Sequence, residues 1–220
     1  MRHVLLLAAS LFIATAASAT DAMHQFQRVV QRGGVKRVVI DIPTGSFTIR
    51  NGSATQLGLS AIVSRDYDGS KERDWAQKVV NDTTIEFYIS GEEAVVRRKF
   101  GPRAQSWRAQ KFTGIDLRLD LPPGVDVEFD TTAGEIDMAG NFGHVDIDLR
   151  AGEIDLTMPR SNVHLLNASC RIGEVRTNLG TEVVTREGVF PGKTKFVNAA
   201  GRSNVNVHVT AGEVDVTLTQ

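Results

Sequence analysis

One short unit, Gly-Glu-apolar-Asp, returns along the second half of this chain and limits what the chain can fold into. Ala133-Gly134-Glu135-Ile136-Asp137-Met138 recurs as Ala151-Gly152-Glu153-Ile154-Asp155-Leu156, in altered form as Ile172-Gly173-Glu174-Val175-Arg176, and again as Ala211-Gly212-Glu213-Val214-Asp215-Val216. The glycines are 18, 21 and 39 residues apart. Because 39 is close to twice the mean of the other two spacings, a degenerate copy is expected between Gly173 and Gly212, near Lys193 to Val197. Further alternating stretches fall between the copies, at Val145, Ile147 and Leu149, at Val163 and Leu165, and at Val205, Val207 and Val209. A period of about 20 residues with two short strands in each marks stacked β-repeats, because one unit cannot bury its own apolar face. The glycine suits a corner that needs φ > 0 or a close backbone approach. The Ile or Val points inward, and the flanking acids share the opposite face of the strand. The expected fold class is all-β: a β-solenoid-like repeat stack of short strands with one short helix, the alternative being an antiparallel β-sandwich.

Strand patterning extends forward from the repeats. Val35 to Ile42 is rich in β-branched residues, Phe47 and Ile49 alternate with polar neighbours, and Leu57 to Val63 reads as a further strand. One helix is expected over Ser70 to Val80, with Ser70 as its cap, Trp75 and Val79 on one face, and Asn81-Asp82 at its end. Arg97 to Lys111 breaks the pattern. It carries Arg97, Arg98, Lys99, Arg103, Arg108 and Lys111 among Phe100, Trp107 and Phe112, with no acid between Glu93 and Asp116. Gly101-Pro102 interrupts regular structure, so a long, basic, exposed hairpin or loop is expected there. Asp116 to Leu121 then alternates strictly before Pro122-Pro123-Gly124 turns the chain.

The run from Ile115 to Gly124, followed by Thr132 to Asp137 and its copies, resembles the DUF4097 family of provisionally named adhesins from bacterial envelopes. Members share a strand ending in Pro-x-Gly and then tandem Gly-acidic-apolar-acidic units. The early Gly45-Ser46-Phe47-Thr48-Ile49 unit and a helix at Ser70 to Val80 fit the same pattern. The resemblance spans about Val35 to Leu218. It implies a β-solenoid-like stack and an adhesin-like binding role, and it carries over no catalytic residues. The basic stretch departs from the family pattern.

The first residues, Met1-Arg2-His3, precede an apolar run from Val4 to about Ala17, and Ala17-Ser18-Ala19 offers small residues for cleavage. This is the layout of a secretory signal peptide. The run is shorter than the roughly 20 residues that span a bilayer. The expected organisation is a signal peptide over 1–19, cleaved after Ala19, an N-terminal segment over 20–34, and a single β-repeat domain over 35–220, with its Gly-Glu-apolar-Asp units from about 132. The mature chain is expected in the periplasm or outside the cell, without a transmembrane segment. Its charge balance of 24 basic to 26 acidic residues gives no global attraction to nucleic acid, so none is expected as a partner. The lone cysteine, Cys170, excludes an internal disulfide and reads as a small buried residue.

Stacking in register would file Glu135, Glu153, Glu174 and Glu213 in one column and Asp137, Asp155 and Asp215 in another, with the extra rung separating Glu213 from the rest. Rungs sit about 4.8 Å apart. Like charges at that distance repel by about 1 kcal/mol in water. Arg150, Arg171 and Arg176 interleave with the acids, which suits a neutralised, solubilising face. Oxygen ligands for Ca²⁺ from Glu135, Asp137, Glu153 and Asp155 are the alternative. His144 and His164 are 20 residues apart, near one period, and a stacked pair could hold Zn²⁺ with a nearby carboxylate, although a histidine on a strand is more often a structural residue. No cofactor is expected. No G-x-S-x-G elbow is present, and recurrence marks the acids as architecture rather than a local catalytic pair. The stronger partner-binding candidate is the basic stretch, through Arg97, Arg98, Lys99, Phe100, Arg103, Trp107, Arg108 and Lys111, since arginines among aromatics suit an anionic partner. The expected function is therefore an exported, non-enzymatic cell-envelope module that binds or scaffolds an envelope or surface component, be it protein, glycan or anionic lipid head group. One alternative is a polysaccharide-acting enzyme on the acidic face. Another is an envelope-stress or membrane-surface sensor acting through residues 97–111.

Overall fold

The structure is a computed structural model and describes residues 24–65, 73–102, 113–179, 185–187 and 192–220. The chain is all-β apart from one helix, as the alternation implied. In order its elements are β1 (His24–Gln31), β2 (Arg37–Asp41), β3 (Thr44–Asn51), β4 (Gln56–Arg65), α1 (Arg73–Asn81), β5 (Thr83–Ser90), β6 (Glu93–Phe100), β7 (Thr113–Leu121), β8 (Asp126–Ala139), β9 (Val145–Pro159), β10 (Val163–Thr177), β11 (Thr185–Glu187), β12 (Gly192–Val197) and β13 (Ser203–Thr219). Together the strands form one large sheet. Among the described residues no helix is long and apolar enough to cross a membrane.

The long strands β8, β9 and β13 are each bent at their Ala-Gly step. In β8 the inward side chains are Val127, Phe129 and Thr131 before the glycine, then Ile136 and Met138 after it. In β9 they are Val145, Ile147 and Leu149, then Ile154, Leu156 and Met158, and β13 repeats the switch. A straight strand keeps one parity on one face. Here parity changes across the glycine, so the bend keeps apolar residues on the inside of both arms. Phe129 in the first arm meets Phe47 of the second at a centroid distance of 4.7 Å, edge to face. The two arms thus face each other across a single core.

Glycine is required at the bend for a second reason. Gly45, Gly134, Gly152, Gly212 and Gly173 stand side by side in register. The last four have φ between 138° and 148°. A Cβ on Gly152 would lie 1.8 Å from the carbonyl oxygen of Gly134, and one on Gly212 would lie 1.8 Å from that of Gly152. Each corner therefore nests on the backbone of the one beside it.

The front of the chain builds rungs of the same kind in two pieces. β2 pairs in parallel with the first arm of β8 and β3 with its second arm, so β2 and β3 are one rung broken at Ile42-Pro43. β6 and β7 flank β2 and β3 in the same way and form the next rung out. The parallel stack accordingly runs β6/β7, β2/β3, β8, β9, β13, β10. Antiparallel strands close its sides: β5 on β6, β4 and then β1 on β7, and β12 and β11 on the first arm of β10. β1 lies within the segment expected to precede the domain, and it pairs with β4 along its whole length.

Two sequence expectations change. No degenerate rung lies at Lys193 to Val197: that stretch is β12, antiparallel to Leu165–Cys170. Nor do the rungs stack in chain order, because β13 inserts between β9 and β10. The spacing of 39 measures the excursion through β11 and β12, not a missing corner. The helix is found over Arg73–Asn81, while Ser70 and Lys71 lie outside the described residues. Val79 is buried in it with Trp75 and Phe100 packed alongside, and the Thr83 hydroxyl donates to the Val79 carbonyl at 2.9 Å where the helix ends.

Candidate functional site

The outer face of the second arm carries the acids of the repeat. Register aligns Asp116, Ser46, Glu135, Glu153, Glu213 and Glu174 in one row across β7, β3, β8, β9, β13 and β10. The next row reads Arg118, Thr48, Asp137, Asp155, Asp215 and Arg176. The glutamates form one unbroken file. Glu213 is not set apart by an extra rung but stands between Glu153 and Glu174.

Cations sit at the two ends of this strip. On β10, Arg176 lies 2.8 Å from Glu174, 2.9 Å from Glu213 and 3.6 Å from Asp215. At the β3 end, Arg50 pairs with the Asp137 carboxylate and donates to the Asp137 carbonyl at 2.9 Å. Among the described residues neither Arg150 nor Arg171 makes an ion pair with these acids, so the neutralisation expected of them falls to Arg50 and Arg176. The middle is left unbalanced. Partial burial, then the neighbouring charges of Asp215, Asp137 and Glu135, raise the Asp155 carboxyl above the usual aspartate range.

Glu135, Asp137, Glu153 and Asp155 are thus brought together on one face, as their spacing required. They lie in flat rows rather than converging on a point, and among the described residues no group of three or more His, Cys, Asp or Glu has an arrangement able to hold a metal ion. The histidines have separate partners: the His144 ring accepts from the Asn204 N–H at 3.0 Å, His164 meets the Asn198 carbonyl, and His208 meets the Ser169 hydroxyl. Beside the acidic strip a recess of ≈ 190 Å³ is lined by Ser46, Thr48, Ser60, Ile62, Asp116, Leu117 and Arg118.

The basic stretch divides into two parts. Arg97, Arg98, Lys99 and Phe100 are not loop but the end of strand β6, and Arg103, Trp107, Arg108 and Lys111 lie outside the described residues. Arg97 and Lys99 face outward and both contact Glu86 of β5, at 2.7 and 2.9 Å. Hydrogen bonds from Lys99 and then Arg97 hold the Glu86 carboxyl below its usual range. Arg98 turns inward, is only 8% exposed, and stacks at 4.0 Å over the Phe100 ring. Burial pushes its guanidinium down to about 10. A signal for this burial was present in the strand, since Ala94, Val96 and Arg98 share one parity. The charge run and Gly101-Pro102 hide this signal, because both favour a loop. The pairing of Arg97 and Lys99 with Glu86 depends on the β5–β6 hairpin register, which the charge run alone does not reveal.

Comparisons with known proteins bear on the fold. No family model and no curated protein matches the chain. Among solved structures, a protein provisionally named a cell adhesion protein from Clostridium sporogenes superposes with a TM-score of 0.53 at 12% identity, covering 90% of this chain and all of that one. The two share a fold, and at this identity the likeness does not extend to a ligand. Provisionally named adhesins from Parabacteroides merdae (TM-score 0.29, 9% identity, 70% of this chain and 68% of that one) and Bacteroides fragilis (0.31, 7%, 89% and 97%) overlap too loosely to fix a shared arrangement.

Proposed function

We propose that this chain is an exported, non-enzymatic module of the cell envelope, similar to the DUF4097 adhesins, that binds or scaffolds through the outer face of its folded sheet. The observation that carries the reading is the in-register stack. It turns a short repeat into a continuous surface across β3, β8, β9, β13 and β10, with its acids in two rows and arginines at the ends. A surface of that kind offers many equivalent, charged contacts at a regular spacing, which suits adhesion to an extended partner. The cell adhesion name borne by the Clostridium sporogenes protein fits this reading. In the proposal residues 1–19 are the signal peptide, removed after Ala19, and 35–220 form the working domain, with 20–34 contributing β1 as an edge strand.

A second contact is favoured by one feature of the stack. Asp41 is level with Arg97, and Ser46 with Asp116, so the β6/β7 rung takes far more residues than β2/β3 to turn the same corner. The extra chain length follows Phe100: Arg97, Arg98, Lys99 and Phe100 lead into the corner from the end of β6, and the other basic residues fall in the sequence between β6 and β7. Arg97, Arg98, Lys99, Phe100, Arg103, Trp107, Arg108 and Lys111 are the candidates to meet an anionic partner there.

Retention of the chain 20–220 on isolated, washed cell envelopes tests both contacts. Loss of retention in a Glu135→Gln, Glu153→Gln, Asp155→Asn, Glu213→Gln variant supports the sheet face. Loss in Arg97→Glu, Lys99→Glu supports the basic contact. Absence of retention in the unsubstituted chain contradicts both, and hydrolysis of envelope glycans that stops on Glu135→Gln and Glu153→Gln would replace the reading with an enzymatic one.

A further inference from the structure

Arg98 occupies a place where the other rungs put uncharged residues. Asp41 is paired with Arg97 on one side and Asp130 on the other, so one residue further on, Arg98 and Thr131 flank Ile42. The inward row then continues through Leu149, Val209 and Cys170. A guanidinium at such a position is costly to bury unless its N–H groups are matched.

They are matched only in part. Nη1 of Arg98 donates to the Thr44 hydroxyl at 3.5 Å, at the limit of a hydrogen bond. Nε and Nη2 are buried without a hydrogen-bond partner, and so is the hydroxyl oxygen of Thr131. Thr44 is carried to the same corner by its pairing with Ala133, two residues after Thr131. The Phe100 ring covers one flat face of the guanidinium but satisfies none of its in-plane donors. No acid occurs between Glu93 and Asp116 in the sequence. Asp41 is exposed on the outer surface, and its attraction does not offset the effect of burial.

Nε and Nη2 together form the side-on fork with which arginine grips two oxygens of one anion. The Thr44 hydroxyl at Nη1, and the unpartnered Thr131 hydroxyl two rungs along the same inward row, offer a donor for a third oxygen, which a phosphate group has and a carboxylate lacks. We propose that Arg98, with the hydroxyls of Thr44 and Thr131, forms a site for a single phosphate-type oxyanion at the corner between the two arms. The site goes beyond the proposed surface binding and stands whether or not the sheet face binds a partner. Its anion comes either free from solution or on a phospholipid head group, and the chemistry at Arg98 is the same.

The test is thermal unfolding of the chain 20–220 in buffer free of phosphate and sulfate. Sodium phosphate is titrated in one arm, sodium chloride at matched ionic strength in a second, and vesicles of phosphatidylglycerol or phosphatidylcholine in a third. Saturable upward movement of the midpoint with phosphate but not chloride supports the site and a free anion. A response to phosphatidylglycerol vesicles alone supports the site and a head-group source. Arg98→Met, which places an apolar side chain in a row shared with Leu149 and Val209, should fold and lose the response. Arg98→Lys keeps the charge without the fork and should bind at least about tenfold more weakly, the usual scale for losing a charge-assisted hydrogen bond. Thr131→Val, a near-isosteric change, should weaken binding while leaving the fold intact. No saturable response from the unsubstituted chain to either source, or an undiminished response in Arg98→Met, would overturn the proposal.

Discussion

Gly152→Ala tests the glycine file at its centre. The new methyl carbon would stand 1.8 Å from the Gly134 carbonyl oxygen. An ordinary carbon–oxygen contact is about 3.3 Å, so the two rungs would have to part by roughly 1.5 Å at the corner. That movement breaks neighbouring ladder hydrogen bonds, each contributing about 1 kcal/mol net. The φ of +138° adds strain for any residue with a Cβ, on the order of 1–3 kcal/mol. The sum is a loss of about 3–5 kcal/mol, against total stabilities of about 5–15 kcal/mol for folded domains. Gly91→Ala is the control, because Gly91 also has positive φ (63°) but nothing within 4 Å of its added Cβ. It should cost only the left-handed backbone penalty, about 1–2 kcal/mol. Urea unfolding followed by far-UV circular dichroism gives both values from the midpoint and slope. If Gly152→Ala costs no more than Gly91→Ala, the corners do not nest as described.

Two carboxylates should respond to pH with opposite sign. Asp155 has a folded pKa raised by burial and by its acidic neighbours, so the folded state holds its proton more tightly than the unfolded chain, and stability falls as pH rises through the acid range. Asp155→Asn should therefore stabilise the protein at pH 7, with the gain fading toward about pH 4, in the ordinary aspartate range; urea midpoints at both pH values check this, and a loss at pH 7 would refute it. Glu86 has a folded pKa lowered by Lys99 and Arg97, so its contribution is present above the unfolded pKa and is lost as pH falls through the folded value. Glu86→Gln should destabilise at pH 7 and match the unsubstituted chain in acid. Phe47→Ala and Phe129→Ala should each cost about 3–5 kcal/mol, and their double-mutant cycle should show coupling of about 0.5–1.5 kcal/mol; additivity would mean that the two arms do not pack through this pair.

The legible part of the fold was whatever one strand specifies by itself. Alternation marked the inward residues, and the repeated glycine marked the bend, because both are local requirements. Stacking order was not legible. Ala151-Gly152-Glu153-Ile154 and Ala211-Gly212-Glu213-Val214 present nearly interchangeable edges, so nothing in either unit states which neighbour it will take. The consequence reached the acidic face: its rows were foreseeable from parity, while the position of Glu213 beside Glu153 was not. Arg98 shows the opposite failure. Its parity was readable from Ala94 and Val96, but the surrounding positive charge suggested exposure. The split rungs β2/β3 and β6/β7 are not legible because Ile42-Pro43 and the long sequence between β6 and β7 interrupt the period at the corner.

Oxidative cross-linking of paired cysteines tests the stacking order most directly. In a Cys170→Ala background, Glu153→Cys with Glu213→Cys places two thiols on adjacent rungs in direct register, about 4.8 Å apart and within the range a disulfide spans. Glu153→Cys with Glu174→Cys places them two rungs apart, beyond the roughly 7 Å limit. The described order predicts rapid disulfide formation in the first pair and little in the second. Efficient closure of the 153–174 pair without the 153–213 pair would show that the rungs follow chain order, and would contradict the place of Glu213 between Glu153 and Glu174.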